Sequence, residues 1–268
     1  MPPLAGSMQV LRIIAISLRL SVLVELEYRA NFFTQILQSI LTLLVSLGGL
    51  YIVFTHTETL GGWLPAELVA LVGIFTLMGG VIRVVIQPGM QQFMEDVRRG
   101  TLDFKLTKPA DAQLLVSVQR FQIWQGIDIV IGLIILGVAA VQLGGVVGGW
   151  QALGFVIALL SGVAIVYSFW MILACISFWA VKVENILVIF QAMYQAGRWP
   201  ITIYPLWLRS ILTFLVPIAF AVTVPATAFV GRLDWPTLLG AIALAIVLLL
   251  AARLIWLVGI RQYSGASA

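Results

Sequence analysis

The sequence predicts an all-α integral membrane protein with six transmembrane helices, an interfacial helix before the first and a re-entrant hairpin before the last. Three observations predict it. Hydrophobic residues make up 62% of the chain and charged residues 10%, with a mean hydropathy of +1.09, far from soluble composition. Two stretches, 30–57 and 129–181, contain no Asp, Glu, Lys or Arg. Between them, residues 88–120 carry nine of the 26 charged side chains. A short charged island between long apolar runs is a membrane protein's water-facing loop rather than part of a soluble core.

Residues 8–29 read as an amphipathic helix lying in the membrane interface. Leu11, Ile14, Ala15, Leu18, Val22 and Leu26 share one face, and Arg12 and Arg19 another. Glu25 and Arg29 stand at pairing distance, i,i+4. A simple extension of the first span is the alternative. Arg12, Arg19, Glu25, Glu27 and Arg29 interrupt any signal-peptide core, so the expectation is a cytoplasmic N-terminus.

Span one covers about 31–55. Gln35, Gln38, Ser39, Thr42 and Ser46 repeat at 3-1-3-4 spacing and so share a face. Lipid would penalise that face, which therefore points at a water-filled path or at a dimer seam. The following loop, 56–65, has no Lys or Arg and is assigned to the outside. Span two covers 66–87, with Gly73, Thr76, Gly80 and Arg83 on one stripe suited to close helix approach.

Within the island, 88–120, Met90–Arg99 suits a short helix stopped by a left-handed Gly100. Residues 103–109 read as extended, and Asp111 as a cap for the helix leading into span three. Phe93 and Met94 would be apolar knobs ringed by Glu95, Asp96, Arg98, Arg99 and Asp103, a shape suited to docking in a partner's groove. A solvated loop without a partner is the alternative.

Span three covers 121–142, with Gln122, Gln125 and Asp128 on one side of its start. Arg83 and Asp128 fall at similar depth. They either line a polar route or form a purely structural pair. LGGVVGGWQ at 143–151 makes an outside turn. Span four covers 151–181, and Lys182 marks the return to the cytoplasm.

Residues 186–236 contain Pro200, Pro205, Pro217, Pro225 and Pro236, a density that regular spanning helices do not tolerate. They read as a short span five at 186–205 and a re-entrant hairpin at 206–236. The competing placement puts 186–209 on the cytoplasmic surface and makes 210–230 the span. Span six covers 237–259, with Arg253 snorkelling near its end. Both termini are then cytoplasmic. Trp63, Trp150 and Trp235 stand beside outside turns as interfacial aromatics.

Catalysis finds no support. Lysine occurs only at 105, 108 and 182, so no GxxxxGK[ST] phosphate loop exists. The single His56 and single Cys175 exclude the ligand sets and bases of intramembrane hydrolases. Basic residues sit at span ends, which speaks for lipid contact and against nucleic acid.

Four segments together resemble the permease subunits of the second class of ABC exporters, in the subgroup of six-span ABC-2 family transporter proteins. They are ELEYRANFF at 25–33, RRGTLDFKLTKPAD at 98–111, GRWPITIYPLWLRSILTFLVPIAFAVTVPA at 197–226, and GIRQYSGAS at 259–267. The resemblance implies a bacterial inner-membrane exporter working as a homodimer or heterodimer of permeases. It implies a separate cytoplasmic ATPase that holds ATP and Mg, with no cofactor in this chain. It also implies that loop 88–120 carries the coupling helix, and that the cargo is a lipid, a glycan or a hydrophobic or cationic small molecule. A passive channel or scaffold without an ATPase is the alternative.

Overall fold

The computed structural model describes residues 3–27, 29–144, 148–180 and 184–263. Expectations at Lys182, within 145–147 and beyond Tyr263 lie outside the described residues, as do the side chains of Leu11, Leu26 and Arg29. Among the described residues, five helical stretches are long and apolar enough to cross a membrane: Phe32–Phe54, Pro65–Arg99, Ile123–Gln142, Gly149–Phe178 and Trp235–Gln262. These make the chain a multi-pass membrane protein.

Helix α1 (Pro3–Glu27) is tethered at its C-terminal end. Ser21 accepts from the Phe121 amide at 3.1 Å, and Glu25 accepts from the Trp124 amide at 3.0 Å. Leu18 and Val22, on the expected apolar face, remain exposed, as do Leu20 and Leu23. Helix α2 (Arg29–Phe54) lies at the edge of the bundle, and Leu37, Leu41, Leu44 and Val45 face outward.

Helix α3 (Pro65–Val81) begins at a cap in which Glu67 accepts from the Leu64 amide. It runs through a π-turn, Ile82–Ile86, straight into α4 (Gln87–Arg99). The cause lies in the sequence. Pro88 has no N–H to offer the carbonyl of Val84 four residues back, and that carbonyl accepts instead from the Gln122 amide at 3.0 Å. The resulting 35-residue helix is roughly 50 Å long at 1.5 Å per residue, well beyond an apolar slab of about 30 Å. The helix expected at 90–99 is therefore the end of span two rather than a separate projection. Gly100, at φ 71°, stops it.

Residues 103–109 are not extended. Leu102 is fully buried, and α5 (Asp103–Leu106) makes one helical turn there. Asp111 caps α6 (Ala112–Ser117), accepting from the Leu114 amide at 3.0 Å.

Helix α7 (Ile127–Gln142) packs tightly along α3. A Cβ on Gly132 would stand 2.6 Å from the Leu77 amide nitrogen, and one on Gly80 2.8 Å from that of Ile129. Only glycine permits this backbone approach. It brings Arg83, one turn after Gly80, against Asp128, one turn before Gly132.

Helix α8 (Gly149–Cys175) lies against the last helix of the chain. Among the described residues, no helix of spanning length covers the expected fifth span. Helix α9 (Glu184–Tyr194) has 11 residues and gives way to short turns. Trp199, Tyr204 and Val216 are each extended because each precedes a proline. Helices α10 (Leu206–Ser210) and α11 (Val224–Phe229) flank two further π-turns.

Both ends of segment 203–231 are fixed to one loop. Thr202 donates to the Gly61 carbonyl at 3.0 Å, and Arg232 donates to that of Gly62 at 2.8 Å. Arg232 also pairs with Glu67 at 2.7 Å. Between these anchors Phe220 and Ala221 reach Gly162, midway along α8. The segment enters and leaves at the same end of the bundle. Helix α12 (Trp235–Gln262) closes the fold, with Asp234 as its cap. Trp150 and Trp235 are exposed as expected; Trp63 is buried in the core instead.

Candidate functional site

The face of α2 that carries Gln35, Gln38, Ser39, Thr42 and Ser46 looks onto a cavity of about 250 Å³. Thr76 and Arg83 line its α3 side and Asp128 its α7 side. All eight residues singled out from sequence as path or seam meet around this one space. Leu43, Phe75, Gln125, Gln195 and Arg198 complete the lining.

Asp128 sits at the centre, only 4% exposed. One carboxylate oxygen accepts from the Ser39 hydroxyl at 2.6 Å, the other from Arg83 at 2.5 Å. Gln35 in turn donates to Ser39 at 3.2 Å. The chain of contacts joins three helices that otherwise touch lightly on the α2 side. Such a buried pair must be well hydrogen-bonded to offset its desolvation, and this one is. Arg83 lies within the π-turn Ile82–Ile86, a feature frequent at functional sites. Ser46 and Thr76 return their hydroxyl hydrogens to backbone carbonyls one turn back, leaving oxygen lone pairs toward the cavity. On the far wall Tyr194 donates to the Phe75 carbonyl at 2.8 Å and stacks on its ring. The Arg198 guanidinium stands 5.7 Å from the same ring centroid.

The island residues take a different form from the one expected. Phe93 is fully buried, against Phe178 and Trp256 at centroid distances of 5.4 and 5.1 Å. Met94 is buried beside it. They are core, because α4 lies against the bundle instead of standing free of it. Asp96 is also buried. It binds Lys105, accepts from Thr101 and Gln92, and its carbonyl takes the Thr101 amide. Glu95 pairs with both Arg98 and Arg99. The outward face of the island holds Arg98, Arg99, Phe104 and Lys108, with Asp103 half-buried beside them. Phe104 is 74% exposed.

Sequence reasoning passed over Phe104 and Arg198 as site residues. The signal for the first is an aromatic between Asp103 and Lys105 in a water-facing loop. For the second it is the polar pair Gln195 and Arg198, three apart in an apolar stretch. Arg253, expected to snorkel, instead grips Asp111 with two nitrogens at 2.7 and 3.2 Å and Gln113 with one at 2.8 Å. Burial alone would raise the Asp111 carboxyl, but hydrogen bonds from Arg253 and the Leu114 amide hold it below its usual range.

A bundle of long apolar helices around an ion-paired polar cavity, with a charged, folded lobe at one end, defines a multi-pass membrane protein with a polar interior. The family model described as ABC-2 family transporter protein matches residues 40–267, and the chain belongs to that family. No match was found among curated proteins or among solved structures.

Proposed function

We propose that this chain is the transmembrane permease subunit of an ATP-driven exporter, and that its polar cavity is part of the route across the membrane. The route is completed by a second permease, identical or related, against the lightly packed α2 edge. Work comes from a separate cytoplasmic ATPase, which binds ATP and Mg; the sequence of this chain contains no GxxxxGK[ST] phosphate loop. The location is a bacterial inner membrane, with both termini and the 88–120 lobe in the cytoplasm and the 203–231 segment re-entering from the outside. The cargo classes are lipid, glycan or a hydrophobic or cationic small molecule.

The carrying observation is the cavity itself. Eight polar side chains from α2, α3 and α7 converge where lipid would penalise each of them. Family membership supports the coupling to an ATPase. Coupling is assigned to the outward lobe surface, with Phe104 as the inserted side chain and Arg98, Arg99, Lys108 and Asp103 around it. An exposed aromatic ringed by charges has the composition of an interface hot spot.

The test is purification of the complex from membranes. The ATPase should come with the permease, and Phe104→Ala should lower the stimulation of ATP hydrolysis at least tenfold without changing the permease's melting temperature. A complex that contains no ATPase would sink the reading.

A further inference from the structure

The cavity holds more positive charge than it neutralises. Two guanidiniums and one carboxylate line it. Asp128 is fully engaged by Arg83 and Ser39, one oxygen each. No carboxylate among the described residues pairs with Arg198. Among those residues its only hydrogen-bond partner is the neutral Gln195 amide at 3.2 Å, and its Nε is buried without any. The guanidinium is half-buried, lies over the Phe75 ring and turns its open edge to the cavity, so it is placed to take an anion supplied from outside the chain.

Other donors aim at the same space. Gln38 and Thr42 make no side-chain hydrogen bond among the described residues, and Gln125 Oε1 is buried without a partner. A half-turn of that amide presents its NH2 instead. Arg198 itself offers the planar fork that matches phosphate or carboxylate with two parallel bonds. The volume, about 250 Å³, suits a headgroup and not a chain. Apolar surface begins at the rim: Leu41 and Val45, one and two turns from Gln38, face outward. A molecule whose head is anionic and whose tail stays in lipid fits both regions.

We infer that the cavity binds the phosphate or carboxylate headgroup of an anionic amphiphile, with Arg198 as its countercharge. This rests on the permease reading and names the cargo class for it: an anionic lipid, in preference to a cationic molecule or a neutral glycan. A cation would meet net repulsion from Arg83 and Arg198. A neutral sugar would leave Arg198 uncompensated.

The experiment is native mass spectrometry of the permease–ATPase complex after incubation with dihexadecyl phosphate, palmitate or dioleoylglycerol. The anionic probes should be retained and the neutral one lost. Retention of dihexadecyl phosphate alone assigns a phosphate site, and of palmitate alone a carboxylate site. Arg198→Gln should lower retention about tenfold or more, the loss of a charge-assisted pair. Arg198→Lys, which keeps the charge and loses the fork, should lower it only a few-fold. Arg209→Gln, at an exposed arginine outside the cavity, should change nothing.

Equal retention of dioleoylglycerol, or full retention by Arg198→Gln, overturns the inference. So does a shift of Arg198→Gln from dimer to monomer at unchanged retention, since a second copy would then supply the missing anion. None of these outcomes touches ATPase co-purification, on which the permease reading stands. Absence of the ATPase would in turn leave retention by the permease measurable.

Discussion

The polar cavity and the charged lobe are built from the same materials and end in opposite states. Each has a nearly buried aspartate held by a basic side chain and a neutral one: Asp128 by Arg83 and Ser39, Asp96 by Lys105 and Thr101. In the lobe every such contact closes on itself. Lys105 continues to Gln119, Gln119 donates to the Gly89 carbonyl, and Asp111 takes Arg253. In the cavity the network stops short, leaving a space and a guanidinium without a carboxylate. Ion pairs in the first case fix a shape, and in the second they frame a space for something else. Charge density in the sequence does not distinguish the two; the pattern of partners does.

The largest effect should come from the lobe's hidden aromatic. Phe93→Ala removes a fully buried ring that touches Phe178 and Trp256. It should cost about 3–5 kcal/mol and show as a marked fall in melting temperature in detergent. Phe104→Ala should leave that temperature unmoved. Equal melting behaviour of the two variants would erase the division between core and docking surface.

That division marks the limit of what local pattern reveals. The stripe on α2 was legible because a helical face of Gln, Ser and Thr cannot face lipid, and periodicity alone locates it. Arg83 and Asp128 were legible as charges inside apolar runs, and Gly73 and Gly80 as a site of close helix approach, though not that α7 is the helix that approaches. The orientation of Phe93 was not, because it depends on α4 running on from span two through a π-turn. That turn depends on Pro88 releasing the Val84 carbonyl to Gln122, a contact 38 residues distant. Arg198 joined the cavity only once the prolines had broken span five and laid residues 195–198 against Phe75. Periodicity reports which face is polar. It does not report what a broken backbone brings opposite.

A middling effect should come from opening the cavity's network. Asp128→Asn leaves Arg83 without its anion. The full penalty for orphaning a buried partner is about 3–5 kcal/mol, but the Arg83 side chain is 34% exposed toward the cavity. About 2 kcal/mol is therefore expected. Arg83→Met with Asp128→Leu, which removes both charges, should recover most of it in a thermal double-mutant cycle. If the double variant is as unstable as the sum of the singles, the pair is not coupled, and the cavity is framed by packing alone.

The smallest effect probes the lobe from its surface. The folded Asp111 carboxyl lies below its ordinary value of 3.8, since the hydrogen bonds from Arg253 and the Leu114 amide outweigh partial burial. A depressed carboxyl stabilises the fold above the unfolded pKa and loses that contribution as pH falls through the lower, folded value. Stability should thus be flat from pH 7 to about 5 and decline below about 4 as this contact protonates. Both side chains are 42% exposed, so the contribution is about 1 kcal/mol or less. Asp111→Asn should remove that part of the acid slope, keep the cap on α6 in weakened form, and lower the neutral-pH melting temperature slightly. An unchanged acid slope in Asp111→Asn would mean that α12 and the lobe are joined by packing around Phe93, with the Arg253 grip incidental to it.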